Sequence, residues 1–268
     1  MKTQITDCHF HVFGPTDRFP TVGAAAYVPE IVTLAQHDAL FVPRGTTRQV
    51  IVAASCYGTD NRCHMEALAQ MGPAGRAVVQ IDAHTPAAEL AAMTKLGARG
   101  ARFNAISPGA LGFDVLYGIV DRIRGQGWHA EIYARRDDLA AQVDRLLATG
   151  LDIVVAHYGD LDPALGLRQP AVAALDRLLA SGRCWLKLSA PYRVSQAPGY
   201  TDLAPYARHF IGLRPDRLLW GSDWPYIGYA AVLREWDPMQ PLAAWVRDPA
   251  VAELVYWTNP ARLYGFPP

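Results

Sequence analysis

Two histidines stand two residues apart in Asp7-Cys8-His9-Phe10-His11, near the start of a 268-residue chain. Alternate side chains of an extended strand leave the same face, so His9 and His11 are expected to point the same way. Two imidazoles on one inward face can bind a metal ion or hold an oxyanion. A carboxylate, Asp223, lies far off in Gly221-Ser222-Asp223-Trp224-Pro225, and a third histidine, His157, in Ala156-His157-Tyr158-Gly159. Any one of these alone reads as a satisfied core group. Together they do chemistry only if the fold brings both ends of the chain to one place.

The apolar pattern points to such a fold. Short β-rich segments are expected at residues 5–11, 48–55, 77–82, 100–104, 129–133, 153–157, 185–189 and 218–223. Amphipathic segments separate them at 30–40, 61–71, 86–95, 114–124, 136–148, 171–180 and 203–211, with a last at 250–256. Pro86 suits a first helical turn. Gly97, Gly150 and Gly182 each follow a helical stretch, as C-terminal caps do. Eight strand–helix units, each of roughly 30 residues, predict an α/β protein, a single (β/α)8 barrel over residues 1–268. An open doubly wound sheet would normally carry a G-x-G-x-x-G turn, and the chain has none.

First and last strands are neighbours in a closed barrel, so His9, His11 and Asp223 can meet. Functional groups of barrels collect at the C-terminal ends of the strands. Those ends carry the histidine pair, then Ser55, Arg102-Phe103-Asn104, Tyr133, His157 and Asp223. Pro225 stops the last strand and leaves Asp223 at the rim. Arg102 and Asn104 share a strand face, whereas Arg99 has the opposite parity and is expected against a helix or in solvent. The Pro/Gly-dense stretches 13–29 and 191–205 read as loops of functional length.

Lys plus Arg and Asp plus Glu number 25 each, for zero net charge. Such a chain lacks the basic field that nucleic acid or an anionic membrane would need. Its 51% apolar content excludes a mainly disordered protein. No apolar run approaches the roughly 18 residues of a spanning helix. Residues 1–7 lack an apolar signal-peptide core, and a cytoplasmic location is expected. Cys8, Cys56, Cys63 and Cys184 form no Cys-x-x-Cys and are expected to stay unpaired. Cys63-His64 lacks a second ligand pair, so a packing or surface role is expected.

Six motifs run in order along the chain: Asp7-Cys8-His9-Phe10-His11-Val12-Phe13-Gly14-Pro15, Gly97-Ala98-Arg99-Gly100-Ala101-Arg102-Phe103-Asn104, Ala156-His157-Tyr158-Gly159, Trp185-Leu186-Lys187-Leu188-Ser189, Trp220-Gly221-Ser222-Asp223-Trp224-Pro225 and Asn259-Pro260-Ala261-Arg262-Leu263-Tyr264-Gly265-Phe266. This set resembles the amidohydrolase superfamily, in the branch that contains the pyrone-dicarboxylate lactonases. The resemblance implies hydrolysis of a carboxylate-bearing lactone and a place in aromatic degradation. It implies Asp223 as the general base and His9, His11 and His157 as groups that polarise the carbonyl. It also implies Arg102 and Arg193 on substrate carboxylates, with Ser55, Tyr27 and Tyr133 adding hydrogen bonds.

Many superfamily members hold metals through further ligands on the fourth and fifth strands. Those positions read Asn104 and Tyr133 here, so a two-metal site is not expected. His9, His11, His157 and Asp223 could still hold one zinc ion; the expectation is an enzyme without a cofactor, as the resemblance implies. Lys187 points into the barrel by parity and is expected too deep for substrate, paired with Glu131.

The chain departs from the lactonases at one place. They carry a further arginine six residues after that of Arg-Phe-Asn; here the position is Pro108, and residues 105–112 contain no Arg or Lys. One carboxylate clamp is absent. Alternatives are a galactarolactone-like sugar-acid lactone isomerase or hydrolase, a metal-dependent decarboxylase of the same superfamily, and a barrel that only binds. Trp236 and Trp245 are candidate surface aromatics for a homo-oligomer, whose existence the sequence leaves open.

Overall fold

The computed structural model describes residues 4–23, 25, 27, 29–107, 110–231, 233 and 236–267; Pro108 lies outside them. Eight parallel strands run in sequence order: β1 (Ile5–Phe10), β2 (Thr46–Val52), β3 (Gly75–Val79), β4 (Ala98–Asn104), β5 (His129–Tyr133), β6 (Ile153–Val155), β7 (Cys184–Lys187) and β8 (Leu218–Leu219). The ring closes where Phe10 bridges Trp224 and the Cys8 N–H donates to the Trp220 carbonyl at 3.1 Å. The architecture is the expected (β/α)8 barrel. β-branched runs such as Val50-Ile51-Val52 and Ile153-Val154-Val155 are buried throughout, as parallel strands covered on both faces require. No helix among the described residues is long and apolar enough to cross a membrane.

Helices follow the strands outside the ring. α1 (Leu34–Phe41) starts later than residue 30, because Thr33 and Gln36 form a reciprocal capping box. α2 (Arg62–Met71), α3 (Ala87–Leu96), α6 (Arg136–Ala148), α7 (Pro170–Ala180) and α8 (Ala204–Leu213) match the expected segments closely. The expected helix at 114–124 is broken at Ile119 into α4 (Phe113–Gly118) and α5 (Val120–Gly125). The helix expected at 250–256 is α10 (Pro249–Glu253), which runs through a π turn (Leu254–Thr258) into α11 (Asn259–Tyr264), and an unforeseen α9 (Gln240–Trp245) precedes it.

Six strands stop short of the expected ends, β1 by one residue and β3 by three. β2 ends at Val52 and β6 at Val155, so Ser55 and His157 open tight 3₁₀ turns beyond them. β7 ends at Lys187, ahead of Ser189, and β8 at Leu219, ahead of Asp223. The rim residues leave the ladder because their backbone has to turn inward over the barrel mouth.

The four cysteines are buried and free. Cys63 and His64 are both buried, and His64 accepts from the Ala54 N–H at 3.2 Å, a packing role. Trp245 is not a surface residue: it is buried edge-on against Tyr158. Trp236 is half-buried against Tyr192, Tyr200 and Tyr226. Both side chains serve the protein's own core.

Candidate active site

The seam between β1 and the segment after β8 builds the site. β1 slips register between Asp7, opposite Gln49, and Phe10, opposite Ile51. This extra residue breaks simple alternation. Asp7 and Phe10 meet His37 of α1 outside the barrel, whereas His9 reaches Lys187 inside it. Asp7 ties the seam together: one carboxylate oxygen accepts from the His9 N–H (3.1 Å) and the Ser222 N–H (2.9 Å), the other from His37 Nε2 at 3.0 Å. Gly221 is needed here, since a Cβ at that position would lie 2.6 Å from His9 Cβ and 2.8 Å from its backbone nitrogen.

Asp223 follows in the left-handed region, at φ 58°, its N–H bonded to the His9 carbonyl at 2.8 Å. His157 also sits left-handed, at φ 51°. Such conformations cost side-chain-bearing residues of order 1–3 kcal/mol and persist where the surroundings over-determine them. Here they aim both side chains into the barrel mouth.

Asp223 Oδ1 lies 3.4 Å from His9 Nε2, 3.6 Å from His11 Nε2 and 3.6 Å from His157 Nε2. It has no hydrogen-bond partner among the described residues, although it is buried. Oδ2 is fully engaged, accepting from the Tyr192 hydroxyl at 2.5 Å and Arg193 Nε at 2.8 Å. Burial alone would raise the Asp223 carboxyl. The Arg193 guanidinium and the surrounding imidazoles outweigh it and hold the group well below the usual carboxylate range. Asp223 is therefore ionised at neutral pH.

The three imidazoles are neutral. Burial and the Lys187 ammonium bring His9 down to about 3; burial likewise lowers His11 and, further, His157. Their other ring nitrogens are tied back. His11 Nδ1 donates to the Val52 carbonyl at 2.7 Å, which leaves Nε2 bare. His9 Nδ1 lies 3.3 Å from both Lys187 Nζ, a donor, and Glu131 Oε1, an acceptor, so these two partners suit either tautomer. His157 Nδ1 meets the Ser189 hydroxyl at 2.9 Å, a partner that suits either tautomer.

The mouth above this cluster is a cavity of about 60 Å³. His11, Tyr27, Ser55, Arg102, Asn104, Tyr133, His157, Arg193 and Asp223 all line it, with His9 just beneath, so the structure brings together the candidate catalytic and substrate-binding residues. Their tasks differ. Arg102 anchors Nη1 on the Ala53 carbonyl at 2.6 Å, and its buried Nε has no partner among the described residues. Arg193 answers the protein's own Asp223. Asn104 spends its amide on Ser107 and the turn after β4. Lys187 pairs with Glu131 at 2.5 Å in the barrel interior, as parity suggests. Arg99 bonds the Thr94 and Ala98 carbonyls, away from the site.

Tyr192 and Ser189 are functional contacts that sequence reasoning missed. Tyr192 adjoins Arg193 and Ser189 ends the Trp-Leu-Lys-Leu-Ser motif, but neither position reveals its partner before the loop after β7 is folded.

His9, His11 and Asp223 offer donor atoms within 4.8 Å of one another. Ligands on one zinc ion, at about 2.0–2.2 Å, stand about 3.3–3.6 Å apart, and the Asp223 distances agree. The orphaned Oδ1 and the bare His11 Nε2 are the donors a divalent ion would take, so these residues fit one.

The Amidohydrolase family model matches residues 6–266. A 2-pyrone-4,6-dicarboxylate hydrolase of Comamonas testosteroni is 34% identical over 82% of this chain and 76% of its own length. A 4-sulfomuconolactone hydrolase of Hydrogenophaga intermedia is 29% identical over 97% of this chain and 88% of its own. The crystal structure of a putative 2-pyrone-4,6-dicarboxylic acid hydrolase from Pseudomonas putida superposes with a TM-score of 0.86 at 30% identity, covering 99% of both chains. With the barrel, the seam and the motifs in family order, this chain belongs to the amidohydrolase family.

Proposed function

We propose that this protein hydrolyses a carboxylate-bearing lactone, with Asp223 as the general base. One observation carries the reading: a buried, ionised carboxylate keeps one oxygen free and turns it toward three imidazole nitrogens in a cavity that also presents Arg102. A base must be ionised, within reach of its proton and uncommitted. The relatives named for pyrone-dicarboxylate and sulfomuconolactone hydrolysis support the substrate class.

Water sits at Asp223 Oδ1 and gives it one proton. The bare His11 Nε2 accepts the other proton's hydrogen bond and so orients the attack. His9 and His157, each in the tautomer that carries its proton on Nε2, donate to the carbonyl oxygen as it becomes an oxyanion. His11 is thus an acceptor, whereas the superfamily resemblance had all three histidines polarising the carbonyl. Arg102 holds the substrate carboxylate, and Ser55, Tyr27 and Tyr133 border the ring. Collapse of the tetrahedral intermediate expels the ring oxygen, which takes the proton from Asp223.

A divalent ion held by His9, His11 and Asp223 would supply Lewis acidity to the same carbonyl. The metal-free reading is supported by charge already in place. Arg193 lies 2.8 Å from Asp223 and Lys187 3.3 Å from His9, so cations already face two of the three donors.

The test is a lactone panel assayed with and without a chelator, with product identity read by NMR and metal content measured on the same preparation. Chelator-resistant ring opening is expected. Abolition by chelator with recovery on zinc would overturn the metal-free reading. An isomeric lactone as product would replace hydrolysis by isomerisation, and loss of CO₂ would replace it by decarboxylation.

A further inference from the structure

The catalytic cavity, at about 60 Å³, is small. Pockets that enclose small molecules usually measure about 300–1,000 Å³, so a lactone ring fills the mouth and its substituents have to leave it. A neighbouring cavity of about 340 Å³ shares Tyr27 and Ile227 with the mouth. Its walls are Phe13, Val32, Pro225 and Ala230 with the two shared residues. Glu30 is the one charged side chain among the described residues that line it.

Cations are distributed the opposite way. The mouth has Arg102 and Arg193. Arg193 directs Nε to Asp223 and Nη2 to the Ile227 carbonyl at 3.4 Å, whereas Arg102 has one bond among the described residues, from Nη1 to the Ala53 carbonyl. The stretch 105–112 contains no Arg or Lys. A second substrate carboxylate in the annex would meet apolar walls and the Glu30 carboxylate. Glu30, Gly228, Ala230 and Ala231 of this lining are exposed, so a second carboxylate there would keep part of its water but face the like charge of Glu30 with no cation among the described lining residues, whereas an alkyl or aryl group gains from the apolar surface it buries.

From this distribution we infer that the substrate is a lactone with one carboxylate, held by Arg102, and an apolar ring substituent that passes Tyr27 and Ile227 into the annex. The inference rests on the lactone reading above and narrows its substrate class.

Binding tests it apart from turnover. 2-Pyridones are ring-nitrogen analogues of 2-pyrones that resist hydrolysis. Calorimetry on the wild-type protein compares 6-propyl-2-pyridone-4-carboxylate with 2-pyridone-4,6-dicarboxylate. The propyl monoacid is expected to bind at least tenfold tighter. Equal affinities, a tighter dicarboxylate, or no binding by either would overturn the inference. Glu30 is exposed, so Glu30→Arg should fold, and it is expected to shift the preference at least threefold toward the dicarboxylate. An unchanged ratio would overturn the placement in the annex. Hydrolysis of the two corresponding pyrones is followed in parallel. Turnover of neither, beside the expected binding order, would refute the hydrolase reading and leave standing the ligand placement alone, a carboxylate on Arg102 and an apolar arm in the annex.

Discussion

Two carboxylates lie fully inside the barrel, and they do opposite things. Glu131 pairs with the Lys187 ammonium at 2.5 Å, and its other oxygen lies 3.3 Å from His9 Nδ1. Asp223 pairs with Arg193 and Tyr192 through one oxygen and leaves the other free. In both, nearby cations outweigh burial and keep the group ionised well below its usual range. A depressed pKa therefore does not separate a base from a structural anion. Nor does an unpartnered oxygen, since Oδ1 of Asp223 and Oε1 of Glu131 both lack a hydrogen bond among the described residues; the cavity separates them, for Asp223 lines the mouth and Glu131 lies beneath it among Lys187, His9 and His129.

The difference is broken most sharply at Asp223. Asp223→Asn is expected to lower kcat by about 10²–10⁴-fold, the usual worth of a general base, with little change in the Kd of a substrate analogue. Steady-state kinetics beside calorimetry reads this, and a variant that keeps its kcat would remove Asp223 from the chemistry.

At Glu131 the expected loss is of stability. Glu131→Gln strands a buried Lys187 and should cost about 3–5 kcal/mol in urea unfolding. Adding Lys187→Met should restore most of it. A single variant of wild-type stability would show that the pair contributes nothing to folding.

Arg102→Met is expected to act on binding, with KM raised about 10–100-fold by loss of a charge-assisted bond of about 1.5–3 kcal/mol. Equal KM values would take the substrate carboxylate away from Arg102.

The smallest effect expected is on pH. The Asp223 carboxyl is held down by Arg193, so activity should persist as pH falls until that low folded-state value is reached. Arg193→Gln removes the guanidinium and should move the acid limb of kcat/KM to higher pH. An unmoved limb would mean that another group sets it. Stability has its own acid dependence. His9, at about 3, and His129, at about 4, bind protons more weakly folded than unfolded. Their contribution drains away as pH falls from about 6.5 toward those values.

Much of this was legible in the sequence. Periodicity of two and of three to four located the strands and most helices, because burial on both faces leaves long apolar runs. Parity placed Arg102 in the mouth and paired Lys187 with Glu131. What stayed hidden depends on departures from regular geometry. The register slip in β1 carries no marker, since Cys8 could face either way. The left-handed turns at His157 and Asp223 fall on residue types that adopt this region more often than other side-chain-bearing residues but still seldom, so propensity alone does not locate them. Tyr192 and Arg193 lie in a loop whose partner is 30 positions away for Arg193 and 31 for Tyr192, and neither residue type says which carboxylate it will meet.

The Asp7 carboxylate holds the His9 N–H and reaches Ser222 across 215 positions of chain. This has a consequence for the order of events in synthesis. A growing chain that has made seven strands holds its histidines but not Asp223, the proposed base, which follows the last strand and is oriented by the first. Long-range closure is also the slow part of folding. Hydrolytic activity should therefore appear late and all at once, with ring closure, so that no partly made barrel can open a lactone.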